Sequence, residues 1–461
     1  MEYTATVLSS SVNLTKTIVG AGLLAIPFAY SKDGIFVGLL LTIIAATATG
    51  YGLSLLGKSS KMLDNPRTSS FFTLCSITYP QLTLVFDFAM VVQCFGCALS
   101  YLVLVGDVFP SVLGHDREFW IYLSLVIIVP LCLLKNLDSL RYSSMLGLLA
   151  IAYIVLFIII RFFIDLPSLN FHNLGISWFK INSYSGMMST FSILIFGFTA
   201  SMNMFSICNE LEHNSLRNID KVIGNSVGVA CLLFIVVGTL GYLNFGSDIK
   251  GNVILNYNPE SIFTKIGQLS LGCVIILSFP LLFHPLRIAT NNMVFSIEQI
   301  LAKKFTFFET PVTTAAAAAD SFDNGEQSPL IHSTRTQETS HTLRRQNTAT
   351  SSLVLDATSF VQEAETFQVP FPSSRFYAIT TVLLASLYGL GLNVQGFALV
   401  LSLVGATGST AISFILPGML GYKLFKNETN SKAIVRGSII CIALGFTVMF
   451  VSVFATLYFP Q

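Results

Sequence analysis

A repeated length of apolar sequence is what most limits how this chain can fold. A bilayer core of about 30 Å takes roughly 20 apolar residues per helix, and about eleven stretches reach that length. They run 9–30, 34–57, 82–106, 119–136, 143–164, 186–208, 221–245, 266–290, 374–393, 395–422 and 436–458. Only 11% of the residues are charged, against about 25% in soluble domains. The expected class is an all-α membrane protein embedded in a lipid bilayer. The net charge of +1 gives no footing for nucleic acid. The N-terminus has no basic region ahead of its first apolar segment, so that segment is expected to stay as a span.

The first segment carries its own interruption. Gly20-Ala21-Gly22, followed by Pro27, sits inside it. Glycine and proline weaken a helix where a membrane span needs every backbone bond satisfied. Broken backbone is tolerated there when it lines a cavity or is buried in protein, and interrupted helices point to transport. The competing reading is a kink with small residues for close packing. The eighth segment is expected to be interrupted by Pro280 and Pro285, and the ninth and tenth to be parted by a short turn near Asn393.

Most of the 25 Lys and Arg fall on the connections that face one side if the N-terminus is cytosolic. An odd number of spans then puts the C-terminus in the lumen. Three regions follow: membrane helices in 1–301, a cytosolic loop over 302–373, and membrane helices in 374–461. The loop is rich in Ala, Ser and Thr and poor in large aliphatics, so disorder is expected. Within it Glu326, Leu330 and Ile331 form an acidic dileucine pattern, a sorting signal of the kind read by clathrin and other coat adaptors. The sequons at Asn13 and Asn427 fall in a span and in the cytosol, where glycosylation is not expected. Cys94-x-x-Cys97 has apolar flanks and reads as packing; no His or Cys spacing suggests a metal, and no cofactor is expected.

The sixth segment holds a second flexible, polar patch, Phe196-Gly197-Phe198-Thr199 followed by Ser201 and Asn203. It lies five spans after the first. Breaks in corresponding spans of two halves point to an inverted repeat with its site at the midplane. That arrangement is a LeuT-type five-plus-five core with broken helices 1 and 6 and one extra C-terminal helix. Gly-Ala-Gly-Leu-Leu-Ala-Ile-Pro-Phe-Ala at 20–29 resembles the first-helix motif of the amino acid/auxin permease family. Phe-Gly-Phe-Thr at 196–199 and Asn-Met-Phe-Ser-Ile-Cys-Asn-Glu-Leu at 203–211 resemble its sixth helix, and Phe279-Pro280-Leu281 with His284-Pro285-Leu286-Arg287 its eighth. The chain is most similar to the fungal vacuolar branch, in which Cys-His-Gln often follows Phe-Gly-Phe-Thr. Here Ala200-Ser201-Met202 stand instead, and no His or Gln role carries over.

The resemblance implies an amino acid transporter of a vacuolar, lysosome-like membrane, with neutral substrates exported to the cytosol and protons as the coupling partner. The expected substrate-binding set is Thr17, Gly20, Ala21, Gly22, Phe198, Thr199, Ser201 and Asn203. Exposed N–H groups at the breaks suit the carboxylate, and carbonyls and hydroxyls suit the ammonium. For coupling or gating the intramembrane ionisable residues are candidates: His284, Glu210, Arg287 and Asp87. His284 stands out because an ordinary histidine titrates at about 6.5, and Glu210 with Arg287 could form a gate pair. An enzyme is disfavoured: Gly389-Leu390-Gly391-Leu392 lacks the acid of an intramembrane aspartyl protease, and no His-Glu-x-x-His occurs. An amino acid receptor on a transporter scaffold is the alternative.

Overall fold

A computed structural model describes residues 5–63, 65–133, 141–169, 171, 174–179, 184–309, 369–428 and 431–458. The sorting pattern Glu326, Leu330 and Ile331 and most of the 302–373 loop lie outside the described residues. Contacts divide the chain into two units, 1–293 with 370–461, and 294–369. Of the second, the described part is the end of a long helix and Val369. The fold that follows is that of the first unit.

The described residues are helical almost throughout. The elements that place the site are α1 (Val7–Ile18), α2 (Ile26–Asp33), α3 (Ile35–Ser60), α4 (Phe71–Thr78), α5 (Thr83–Leu113), α6 (Arg117–Leu133), α7 (Arg141–Asp165), α8 (Tyr184–Phe198), α9 (Ser201–Glu210), α10 (Leu216–Phe245), α11 (Ile262–Glu309), α12 (Ser373–Asn393), α13 (Phe397–Val404), α14 (Leu416–Phe425) and α15 (Lys432–Tyr458). Local chemistry explains several boundaries. Thr6 and Ser215 accept from the Ser9 and Asn218 amides and cap α1 and α10. Gly34, with φ of +82°, turns the chain between α2 and α3, and a Cβ there would lie 2.8 Å from the Ser177 carbonyl.

Among the described residues nine helical spans, two of them formed by α8 with α9 and by α13 with α14, are long and apolar enough to cross a membrane, or ten if the bent pair α1–α2 counts as one span. Eleven were expected. The remaining one, at 119–136, is represented by α6, whose 17 residues rise about 26 Å before the chain enters residues that are not described. The eighth span also differs from expectation. Pro280 and Pro285 sit inside α11, which continues through both. Proline removes one donor and crowds one carbonyl without having to end a helix whose other bonds and packing hold.

Burial separates core from rim. The membrane-length windows in Gly186–Glu210 and Phe397–Phe425 are 83% and 78% buried, against 33% in Lys432–Ala455. Outer helices present large apolar side chains instead, with Val126, Leu149, Ile440 and Phe450 each at least 67% exposed. Such a surface suits lipid.

Candidate functional site

The first segment breaks where its glycines predict. α1 ends at Ile18, Gly20 adopts an extended conformation, and a tight 3-10 turn over Ala21–Ala25 leads into α2. The two pieces are bent by 45°. The amides of Val19, Gly20 and Leu23 bond back to Thr15, Ile18 and Gly20 carbonyls. The Ala21 and Gly22 amides, at the start of the new turn, have no such partner among the described backbone bonds. They are the free donors that an anion can use.

The sixth segment is interrupted more gently. Thr199 and Ala200 leave the helix between α8 and α9. Gly22 and Gly197 let the two breaks meet at backbone distance: a Cβ on Gly22 would stand 3.0 Å from the Gly197 Cα. A side-chain bond also joins them, from Asn203 Nδ2 to Thr17 Oγ1 at 3.1 Å.

A cavity of about 530 Å³ lies at this junction. Thr17, Gly20, Ala21, Gly22, Thr199 and Asn203 line it, so six of the eight expected substrate residues come together on one wall. Phe198 and Ser201 do not line it. Phe198 is fully buried and packs on Phe234 with ring centroids 4.7 Å apart. Ser201 is fully buried with its hydroxyl 3.5 Å from that of Ser413. The wall runs from the breaks to Asn13 and Glu210, both exposed, and no residue of α2 contributes to it. It therefore extends toward the end of the bundle from which α1 starts. On the α2 side Tyr30 and Phe234 are fully buried, and Cβ atoms on Gly238 and Gly197 would collide with Ile26, Tyr30 or Phe234.

The coupling candidates separate. His284 and Glu210 line the cavity. Pro285 beside His284 has no N–H, which frees the Leu281 carbonyl from the helix ladder at the same wall. Arg287 is 3% exposed and turns elsewhere. Its Nη1 donates to the Cys132 carbonyl at 2.8 Å, and its guanidinium lies 3.9 Å from the centre of the Phe376 ring. It forms no ion pair with Glu210 among the described residues. A carbonyl, a ring and the Thr380 hydroxyl at 3.4 Å hold the charge where a carboxylate was expected. Asp87 is 6% exposed and accepts from Asn292 Nδ2 at 3.3 Å, away from the cavity wall.

Several wall residues were not among those expectations. Gln93, Cys97 and Tyr101 bring α5 to the cavity, and Lys16 joins from the last turn of α1. Gln93 is fixed at both ends of its amide: Oε1 accepts from the Ser409 hydroxyl at 2.7 Å, and Nε2 points at Cys97 Sγ at 3.1 Å. Ser409 belongs to a stretch of π-helix, Gly405–Ser409 followed by Ala411–Ile415, between α13 and α14. The wider turns occur where this span is crowded, since a Cβ at Gly405 would strike the Ser192 carbonyl and one at Gly408 the Gln93 backbone. A polar amide inside an apolar span was the visible signal for Gln93; its partner Ser409 lies 316 residues away. Asp33, at the end of α2, is fully buried with both carboxylate oxygens lacking a hydrogen bond.

The α1-side end of α9 is tied down outside the spans. Arg67 donates to the carbonyls of Asn209 and Leu211, both at 3.1 Å, and of Glu212 at 2.9 Å. Ala5 pairs with Leu211 in a single parallel bridge, and Lys61 donates to the Asn214 carbonyl. Burial lowers the Lys61 pKa, and the nearby Arg67 charge adds to that.

Residues 3–458 match the family model described as transmembrane amino acid transporter protein. The chain belongs to that family. Its members are transport proteins, and the likeness seen in three short motifs extends over nearly the whole sequence. Vacuolar amino acid transporter 7 of Saccharomyces cerevisiae is 47% identical, covering 99% of each chain. Vacuolar amino acid transporters 6 and 5 of the same yeast are 32% and 31% identical; they cover 92% and 91% of this chain and 91% and 89% of their own. Among solved structures, a Na+-coupled sialic acid symporter in a substrate-bound outward-open state is 14% identical with a TM-score of 0.43, covering 100% of this chain and 91% of its own.

Proposed function

We propose that the chain is a secondary active transporter that moves neutral amino acids from a vacuolar, lysosome-like compartment to the cytosol, linked to protons. The observation that carries this is the meeting of two helix breaks over one cavity, with the unpaired Ala21 and Gly22 amides at its edge. A free amino acid brings a carboxylate and an ammonium group. The amides serve the carboxylate; the Thr17 and Thr199 hydroxyls and the Leu281 carbonyl serve the ammonium. A cavity of about 530 Å³ falls within the usual range for small-ligand sites.

The five-span separation of the breaks supports a five-plus-five inverted repeat with one additional helix. With the N-terminus cytosolic and the C-terminus luminal, as the basic connections favour, the cavity opens to the cytosol. Closing it means bringing α1 and α9 together, and their Thr17–Asn203 bond is already made. Glu326, Leu330 and Ile331 would engage a coat adaptor on the cytosolic face. His284 is the proton-coupling candidate at the wall, because an ordinary imidazole changes charge near pH 6.5.

Flux of labelled neutral amino acids through proteoliposomes, with and without an imposed pH gradient, tests the reading. The expected result is saturable flux that the gradient accelerates, and loss of that acceleration in His284→Ala. A gradient dependence retained in the variant removes His284 from the mechanism. Saturable binding without flux under either condition replaces the transporter with a receptor.

A further inference from the structure

Lys16 is a charge inside a membrane-spanning segment that no neighbour neutralises. It sits in the last turn of α1, partly buried, directly before the first break. No ion pair or side-chain hydrogen bond engages its ammonium among the described residues, and Glu210, the carboxylate that shares the cavity wall, is not paired with it. An unpaired ammonium away from bulk water is costly, and such residues face cavities and carry function.

The surroundings say what it faces. Beside the main cavity lies a smaller one of about 60 Å³, walled by Leu23, Leu24, Ile151, Ile154 and Val274. Lys16, Gly20, Ala21, Tyr101 and Ser278 line both, so Lys16 stands where the two spaces adjoin. Gly147 of α7 leaves room for the lysine stem: a Cβ there would lie 3.5 Å from Lys16 Cε. Among the described wall residues Lys16 is the one lysine or arginine, and Ala21 and Gly22, whose amides have no backbone partner among the described bonds, line the same cavity. A lysine and amide donors around one cavity make a recognition set for an anion, and a charge-assisted bond to a carboxylate is the stronger kind.

We propose that Lys16 is the counter-ion of the substrate carboxylate, so that the site accepts amino acids and rejects their carboxylate-free amides. This rests on the transport reading above. Lys16 contributes the charge and the broken backbone contributes direction. A lysine in a membrane helix, costly on its own, then has a partner each time the site fills.

The test uses the purified full chain and thermal unfolding in the presence of alanine, leucine and glutamine, each against alaninamide, leucinamide and glutaminamide. A ligand that binds the folded state raises Tm. The unaltered chain is expected to respond to at least one acid at a concentration about tenfold or more below that needed for its amide. Lys16→Met should shrink that ratio to about twofold and Lys16→Arg should keep most of it. Equal response to acid and amide in the unaltered chain overturns the proposal without needing any variant. A full ratio retained in Lys16→Met, or in Lys16→Gln should the methionine variant not fold, also overturns it, while leaving the transport reading intact. No response to any acid, together with no flux, overturns both.

Discussion

The two breaks both carry glycine and differ in construction. The first bends its span by 45°, changes helix type and leaves amides free beside a lysine. The second keeps one span and is stitched to another. Thr199 Oγ1 donates to the Ile195 carbonyl at 2.7 Å and lies 3.4 Å from the Ser413 hydroxyl, which also approaches Ser201. Gly20-Ala21-Gly22 frees backbone and fills little. Thr and Ser at a break supply their own hydroxyls and satisfy part of what the break releases. The first break is thus the open, ligand-facing side of the site, and the second is its support.

The largest expected effect comes from forcing the breaks apart. Gly22→Leu places a branched side chain where Gly197 Cα already stands 3.0 Å from a Cβ, and flux should fall by roughly tenfold or more. Size-exclusion of the detergent-purified protein checks that the variant is folded. Ordinary flux in this variant would show that the close meeting of breaks is not needed. A smaller effect is expected at the polar bridge. Asn203→Ala removes the bond to Thr17 and should raise the concentration for half-maximal flux by about three- to tenfold. The smallest belongs to the support: Ser413→Ala loses two long contacts of 3.4 and 3.5 Å and should change stability by about 0.5 kcal/mol or less. A loss there larger than at Asn203 would reverse the assignment of open and supporting break.

Much of the architecture was legible because the bilayer imposes it. Span length and the placement of Gly20 and Gly22 follow from the need to satisfy backbone groups in lipid, and both are visible in one dimension. Side-chain direction is not. Successive helical residues point about 100° apart, and the end of α8 at Phe198 decides that Thr199 lines the cavity while Phe198 packs on Phe234. Pairings across long separations were equally hidden. Arg287 found the Cys132 carbonyl and the Phe376 ring rather than Glu210, and Gln93 was placed by a serine in a π-helical turn. Lys16 was in plain view as a charge within an apolar segment; only the cavity shows that it lines the same space as the break.

The central claim is that an amino acid sits between the breaks. Thiol alkylation of a Thr17→Cys variant reads this directly, since Thr17 lines the cavity and touches Asn203 across it. The unaltered chain, whose eight cysteines are mostly buried, gives the background. A transported amino acid should slow labelling at position 17 saturably, over the concentrations that saturate flux. Labelling that stays constant while flux saturates would place the substrate elsewhere.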